Sequence, residues 1–162
     1  MLDHQRIAVL GAGNIGAALI GGILKTQVAD REHLLATVRT RERAEELAAR
    51  YSITVTAGGN REAADASDLV ILAVKPSTLP HVLEEIREVL REDQILISLA
   101  AAVPIALIER LLQKRLPIFR AMPNIPVVVE EGATAVASNG AGTAAQRRLV
   151  ENIFRAVGIV TF

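Results

Sequence analysis

Gly11-Ala12-Gly13-Asn14-Ile15-Gly16 sets three glycines at a spacing suited to holding a phosphate group. An apolar run at residues 7–10 precedes them, and Ile15, Leu19 and Ile23 follow at four-residue spacing, so the motif falls between a strand and a helix. Each glycine then has a physical task. Gly11 permits the tight turn, Gly13 leaves room for a pyrophosphate beside the backbone, and Gly16 lets the helix pack on the strand. The unpaired N–H groups of the first helical turn face the anion. The chemistry implied is the binding of a dinucleotide; the plainer alternative is that the glycines only close a packed strand-to-helix turn.

The end of the second strand bears on which dinucleotide. A site for NAD places Asp or Glu there to accept from the ribose 2′-hydroxyl, whereas this chain has Val38-Arg39-Thr40-Arg41. The planar fork of Arg39 suits a 2′-phosphate, with the Thr40 hydroxyl and Arg41 or Arg43 assisting. NADP(H) is therefore favoured, with NAD(H) as second choice. Arg41 and Arg43 occupy the first turn of a helix, where the macrodipole disfavours cations, and a bound anion would remove that conflict. A solvated basic patch is the competing reading.

Farther along, Ala73-Val74-Lys75-Pro76 lies where a buried strand leaves the sheet, on the edge where ligands bind in doubly wound folds. The Lys75 ammonium is placed to donate to a nicotinamide ribose or a substrate carboxylate, and Pro76 holds the loop in shape. A surface lysine before a helix is the alternative. The small residues among 98–103, Ala101 included, leave space for a nicotinamide ring. No Ser-His-Asp set or carboxylate pair competes, and no catalytic residue is assigned. His4, His33 and His81 are too scattered for a metal site, and cysteine is absent.

The elements that must position these residues follow from periodicity. Strands are expected at residues 7–10, 34–38, 51–55, 68–74, 94–99, 116–121, about 134–137 and from Ile159 to Phe162. Helices are expected after the glycine turn and at 41–50, 60–66, 79–90, 104–113 and 144–157, with Gly158 as the stop of the last. The segment Met122-Pro123-Asn124-Ile125-Pro126 cannot be helical. Alternating strands and helices with right-handed crossovers imply an α/β fold, a doubly wound and mainly parallel Rossmann sheet with helices on both faces, in one domain over residues 1–162.

Composition agrees. Apolar residues make up 51% of the chain and aromatics 2%, which suits helices packed on a parallel sheet. Eighteen basic and eighteen acidic residues cancel, so no overall field draws the protein to nucleic acid or an anionic membrane. No apolar run approaches a membrane span, and the polar start carries no secretory pattern, so cytoplasm is the expected location.

These motifs, taken in order, resemble the N-terminal domain of the pyrroline-5-carboxylate reductases from Ile7 nearly to the end of the chain. The glycine motif is common to many dehydrogenases. Ala-Val-Lys-Pro at 73–76 combined with Met-Pro-Asn-Ile-Pro at 122–126 and Glu-Gly-Ala-Thr at 131–134 is far more selective.

The resemblance implies that residues 12–16 hold the pyrophosphate, Arg39 and Thr40 the adenosine phosphate, Asn60 the adenosine side, and Val74, Lys75 and Ala101 the nicotinamide half. Lys75 and Asn124 are the substrate-side candidates. Val38 departs from the Asn or Ser of many relatives, which puts one polar contact on the adenine side in doubt. The implied reaction is hydride transfer from NADPH to the C=N carbon of 1-pyrroline-5-carboxylate, giving L-proline. Family members continue into a helical domain that carries the substrate-binding motif and forms a homo-oligomer. That motif is expected to lie beyond Phe162, so that the 162 residues lack it, are incomplete as an enzyme alone, and are a monomer or dimerise differently. Apolar surface near Phe162, left without that domain, is expected to be exposed. A freestanding NADP-binding regulatory module and another NADP-dependent imine or F420-type reductase are the alternatives.

Overall fold

A computed structural model of the chain describes residues 5–124 and 131–162. Its eight strands form one sheet in the order β3-β2-β1-β4-β5-β6-β7-β8. The strands are β1 (Ile7–Leu10), β2 (Leu34–Val38), β3 (Thr54–Ala57), β4 (Leu69–Leu72), β5 (Ile95–Ser98), β6 (Ile118–Pro123), β7 (Gly132–Ser138) and β8 (Gly158–Thr161). The helices are α1 (Asn14–Lys25), α2 (Arg41–Tyr51), α3 (Asn60–Asp65), α4 (Leu79–Ile86), α5 (Ile105–Leu112) and α6 (Ala144–Arg155). The expected doubly wound Rossmann sheet is present, with β3 through β6 all parallel.

The central strands are apolar at every position because both of their faces are covered. Ile7 and Val9 of β1 and Leu69 and Ile71 of β4 join α1, α2 and α6 in one core. Ala8, Leu10, Val70 and Leu72 point the other way, into a second core with α3, α4 and α5. Period-two alternation along a strand thus divides one apolar run between two hydrophobic layers.

Registers fix what lies at the carboxyl edge. Leu10 pairs with Thr37 on one side and with Leu72 on the other, so β1 and β4 end level and β2 runs one residue farther. Gly11, the residues after Thr37 and Ala73 therefore emerge side by side. The chain winds away from β1 in both directions at this point, which is where a doubly wound sheet opens a crevice.

Several boundaries differ from the sequence reading. Tyr51 continues α2, and Ser52 ends it in the left-handed conformation (φ 54°, ψ 45°) with its N–H donating to the Ala48 carbonyl, so β3 begins only at Thr54. Helix α4 stops at Ile86 rather than residue 90. Ile15, grouped by spacing with Leu19 and Ile23, is 36% exposed while those two are fully buried. It sits in the first turn of α1, where the helix has only begun to pass over the sheet. Strand β7 runs antiparallel to β6, and β8 runs parallel to β7. Met122 and Pro123 extend β6 beyond residue 121 as its last two residues. Asn124 follows the strand, and Ile125 and Pro126 of the expected loop lie outside the described residues, as does His4.

The last strand is also displaced by one residue from its expected place. Helix α6 ends at Arg155, Gly158 is the first residue of β8 rather than the stop of the helix, and Phe162 falls just past the strand instead of within it. The register explains the shift. Pairing of β8 with β7 runs from Gly158 with Gly132 to Thr161 with Ala135, and Phe162 has no partner in it. Its ring turns instead to α6, where the Arg147 guanidinium lies 4.1 Å from the ring centre, a cation–π contact. Ile159 and Phe162 are both exposed.

Candidate functional site

The turn after β1 is held by three hydrogen bonds. Gly11 has φ +75°, and its N–H donates to Thr37 Oγ1 at 3.1 Å. The Ala12 N–H donates to the Thr37 carbonyl at 2.8 Å, and the Gly13 N–H to the Gly11 carbonyl at 2.7 Å. A Cβ at Gly16 would lie 3.2 Å from both Ala73 Cβ and Val9 Cγ1, so glycine there does allow α1 to approach the sheet closely.

Gly13 behaves differently. A Cβ on it would meet protein only at the Gly11 carbonyl, 4.0 Å away; the space it would fill belongs to a cavity. Gly13 is the N-cap of α1 with no side-chain cap, and the first turn carries no acidic residue. The first intrahelical bond runs from the Ala17 N–H to the Gly13 carbonyl, so the N–H groups of Asn14, Ile15 and Gly16 precede the helical ladder. That pattern of free donors fits an anion.

The cavity has a volume of about 320 Å³ and collects Gly11, Ala12 and Gly13 with Arg39, Thr40, Asn60, Ala73, Val74 and Lys75. Nine of the sequence-selected residues thus face one space. Thr37, Val38, Arg43, Thr78 and Val82 complete the lining, and no Asp or Glu is among the described lining residues. Asn14, Ile15, Gly16, Pro76, Ala101 and Asn124 do not line it. Asn14 and Ile15 are exposed on the first turn beside it, and Gly16 is buried beneath. Pro76 and Ala101 are exposed in the turns after β4 and β5. Asn124 accepts from the Ala133 N–H at 2.9 Å through Oδ1, fastening the β6 and β7 ends together.

The cations of this region divide into two kinds. Arg41 pairs with Glu45 at 2.9 Å and Arg43 with Glu46 at 2.8 Å along α2. Thr40 caps that helix by accepting from the Arg43 N–H at 3.3 Å. The conflict expected between the two arginines and the helix dipole is therefore answered within the helix, and needs no bound anion. Arg39 is exposed and forms no ion pair or hydrogen bond among the described residues. Val38 is buried and packs into the core under α1 and α2.

Thr37 and Glu85 were not singled out in the sequence as site residues with tasks of their own. The Thr37 hydroxyl donates to Asn60 Oδ1 at 2.6 Å, and Asn60 Nδ2 donates to Glu85 Oε2 at 3.0 Å. Thr37 is 1% exposed near the end of β2, and a hydroxyl buried to that degree requires partners. Only that need signals the pair locally. Among the described residues no group of side chains could hold a metal ion, and no helix is long and apolar enough to cross a membrane.

A mainly parallel, doubly wound sheet with a glycine turn at its switch point is the architecture of Rossmann nucleotide-binding domains. The family described as NADP oxidoreductase coenzyme F420-dependent matches residues 6–102, and the chain belongs to that family.

Its likeness to pyrroline-5-carboxylate reductases runs nearly end to end. It is 35% identical over 158 residues to the enzyme of that name from Pseudomonas aeruginosa, covering 98% of this chain and 57% of the relative. The structure of a pyrroline-5-carboxylate reductase from Coxiella burnetii superimposes with a TM-score of 0.92 at 34% identity, covering 98% of this chain and 58% of that one. The Plasmodium falciparum pyrroline carboxylate reductase with NADP bound gives 0.87 at 25% identity, covering 99% and 58%. The chain thus spans less than three fifths of the length of these relatives.

Proposed function

We propose that the chain is the NADP(H)-binding domain of a pyrroline-5-carboxylate reductase. The observation that carries this reading is the cavity itself, which brings the glycine turn together with an unpaired Arg39 and has no described carboxylate in its lining. A carboxylate there would repel a 2′-phosphate, whereas a free guanidinium attracts one.

In this reading the backbone of residues 12–16 takes the pyrophosphate, and Gly13 contributes by having no side chain to fill the space. Arg39 and Thr40 hold the 2′-phosphate and Asn60 the adenosine side. Ala73, Val74, Lys75 and Pro76 border the nicotinamide half, with Ala101 on the neighbouring turn. When bound, NADPH supplies the hydride that reduces the C=N carbon of 1-pyrroline-5-carboxylate to give L-proline. The chain's own residues bind, orient and shield. Lys75 is exposed on the cavity rim, within the segment that would meet a substrate carboxylate. Asn124 is the second substrate-side candidate. The small substrate and coenzyme suit a cytoplasmic setting.

Residues 1–162 form one binding domain in this assignment, and a helical domain of the kind found in pyrroline-5-carboxylate reductases completes the substrate site. The test is a fluorescence titration with NADPH and NADH, followed by an assay of pyrroline-5-carboxylate-dependent NADPH oxidation by the chain alone and with an added helical domain. NADPH should bind more tightly, and turnover should require the added domain. Tighter NADH binding would remove the role given to Arg39; full turnover by the chain alone would remove the need for a second domain.

A further inference from the structure

Three side chains form a continuous line from the glycine turn to α4. The Gly11 N–H donates to Thr37 Oγ1, the Thr37 hydroxyl to Asn60 Oδ1, and Asn60 Nδ2 to Glu85 Oε2. Its directions are set by chemistry. A backbone N–H only donates and an ionised carboxylate only accepts, so the hydroxyl and the amide between them each accept at one end and donate at the other.

Asn60 lines the cavity, whereas Glu85 stands behind it on α4. With Oδ1 given to Thr37 and one amide hydrogen given to Glu85, Asn60 keeps its second hydrogen. Were the amide turned over, Oδ1 would face the carboxylate, oxygen against oxygen, and the Thr37 hydroxyl would lose its acceptor. Glu85 therefore selects one face of the amide.

We propose that Glu85 is a positioning residue for the adenosine end of the dinucleotide site. It aims an Asn60 N–H toward acceptor atoms of the ligand and, through Thr37, steadies the Gly11 turn that meets the pyrophosphate. This deepens the reading of the cavity as an NADP(H) site and rests on it. A line of polarised hydrogen bonds is worth more intact than its links are separately, so its far end is felt at the near one.

The experiment measures dissociation constants of the chain for NADPH and for 2′,5′-ADP, which carries the adenosine end alone, with a thermal melt of each unliganded variant. E85A should weaken both ligands about tenfold, the equivalent of one charge-assisted hydrogen bond. E85Q offers an amide oxygen in the same place and should stay within about threefold of the parent. N60A should weaken binding at least as much as E85A, and N60A/E85A should match N60A, because Glu85 acts through Asn60. Should E85A fail to fold, E85M, of similar length and without an acceptor, takes its place.

Unchanged affinity in E85A, or a loss that persists undiminished in the N60A background, would overturn the proposal. So would equal losses in E85A and E85Q. If the parent chain bound neither ligand, the site reading itself would fail and this inference with it, an outcome distinct from a parent that binds and an E85A that binds equally well.

Discussion

Gly11 and Val74 meet so closely that a Cβ on Gly11 would lie 2.4 Å from Val74 Cγ1. The end of β1 and the turn after β4 are in contact through a residue that has no side chain. Gly11 also holds φ +75°, a conformation an L side chain resists. Gly11→Ala should therefore cost about 2–4 kcal/mol, from left-handed strain together with overpacking, read as a lower midpoint in urea unfolding. Adding Val74→Ala removes the clash and leaves the strain, so the double variant should recover only part of the loss. Complete recovery would show that backbone conformation contributes nothing here.

Much of this arrangement can be read locally. An apolar run ended by glycine marks β1, and the apolar run before Lys75-Pro76 marks β4, although the strand spans only Leu69–Leu72 of the expected 68–74 and stops short of that pair. Nine of the selected residues line the cavity. The glycine turn was legible because a phosphate cradle is a backbone device written in glycine, Arg39, Thr40 and Lys75 because they follow strands, and Asn60 only through the family resemblance. What was not legible depends on distant partners. Ser52 ends α2 in a left-handed conformation without being glycine, and no neighbouring residue announces it. The reversal of β7 depends on pairing with β6 across the sheet. Phe162 falls outside β8 because the register with β7 is spent one residue earlier. Glu85 follows Asn60 by 25 residues, so its task shows only once α3 and α4 pack together.

Gln94 offers a stability prediction away from the site. Its side chain is 1% exposed. Nε2 donates to the carbonyls of Ala64 and Ser67, and Oε1 accepts from the Arg91 N–H. Gln94→Met preserves length and leaves these backbone groups without that partner. A loss of about 2–4 kcal/mol is expected. Because Gln94 precedes β5, at the edge of the sheet opposite the cavity, NADPH affinity of the folded variant should not change. A large change in affinity would mean that the amino edge communicates with the site.

Gly158 governs the last strand. It has φ +149°, and a Cβ there would fall 1.9 Å from the Gly132 carbonyl oxygen. The same two glycines are register partners at the start of the β7 and β8 pairing. Gly158→Ala should force β8 away from β7 and cost more than about 3 kcal/mol, since backbone rather than a flexible side chain stands in the way. Hydrogen exchange should then quicken across residues 132–135 and 158–161 while the central strands stay protected. Exchange confined to its original rate would show that the edge can absorb the added carbon by a backbone shift.

Arg39 separates specificity from general anion binding. Arg41 and Arg43 are engaged by Glu45 and Glu46, which leaves Arg39 as the cavity guanidinium without an anionic partner among the described residues. Arg39→Glu places like charge against a 2′-phosphate and should weaken NADPH by more than about thirtyfold, a little over 2 kcal/mol. NADH, which lacks that phosphate, should stay within about twofold. Arg39→Lys keeps the charge and loses the bidentate fork, so an intermediate loss of about three- to tenfold is expected. The difference between the parent and Arg39→Glu should narrow as salt rises toward about 1 M, where screening shortens to about 3 Å. Equal weakening of both coenzymes would place Arg39 on the pyrophosphate they share. In that case the preference for NADPH would have to come from Thr40 and Arg43, and Arg43→Ala would be the variant that removes it.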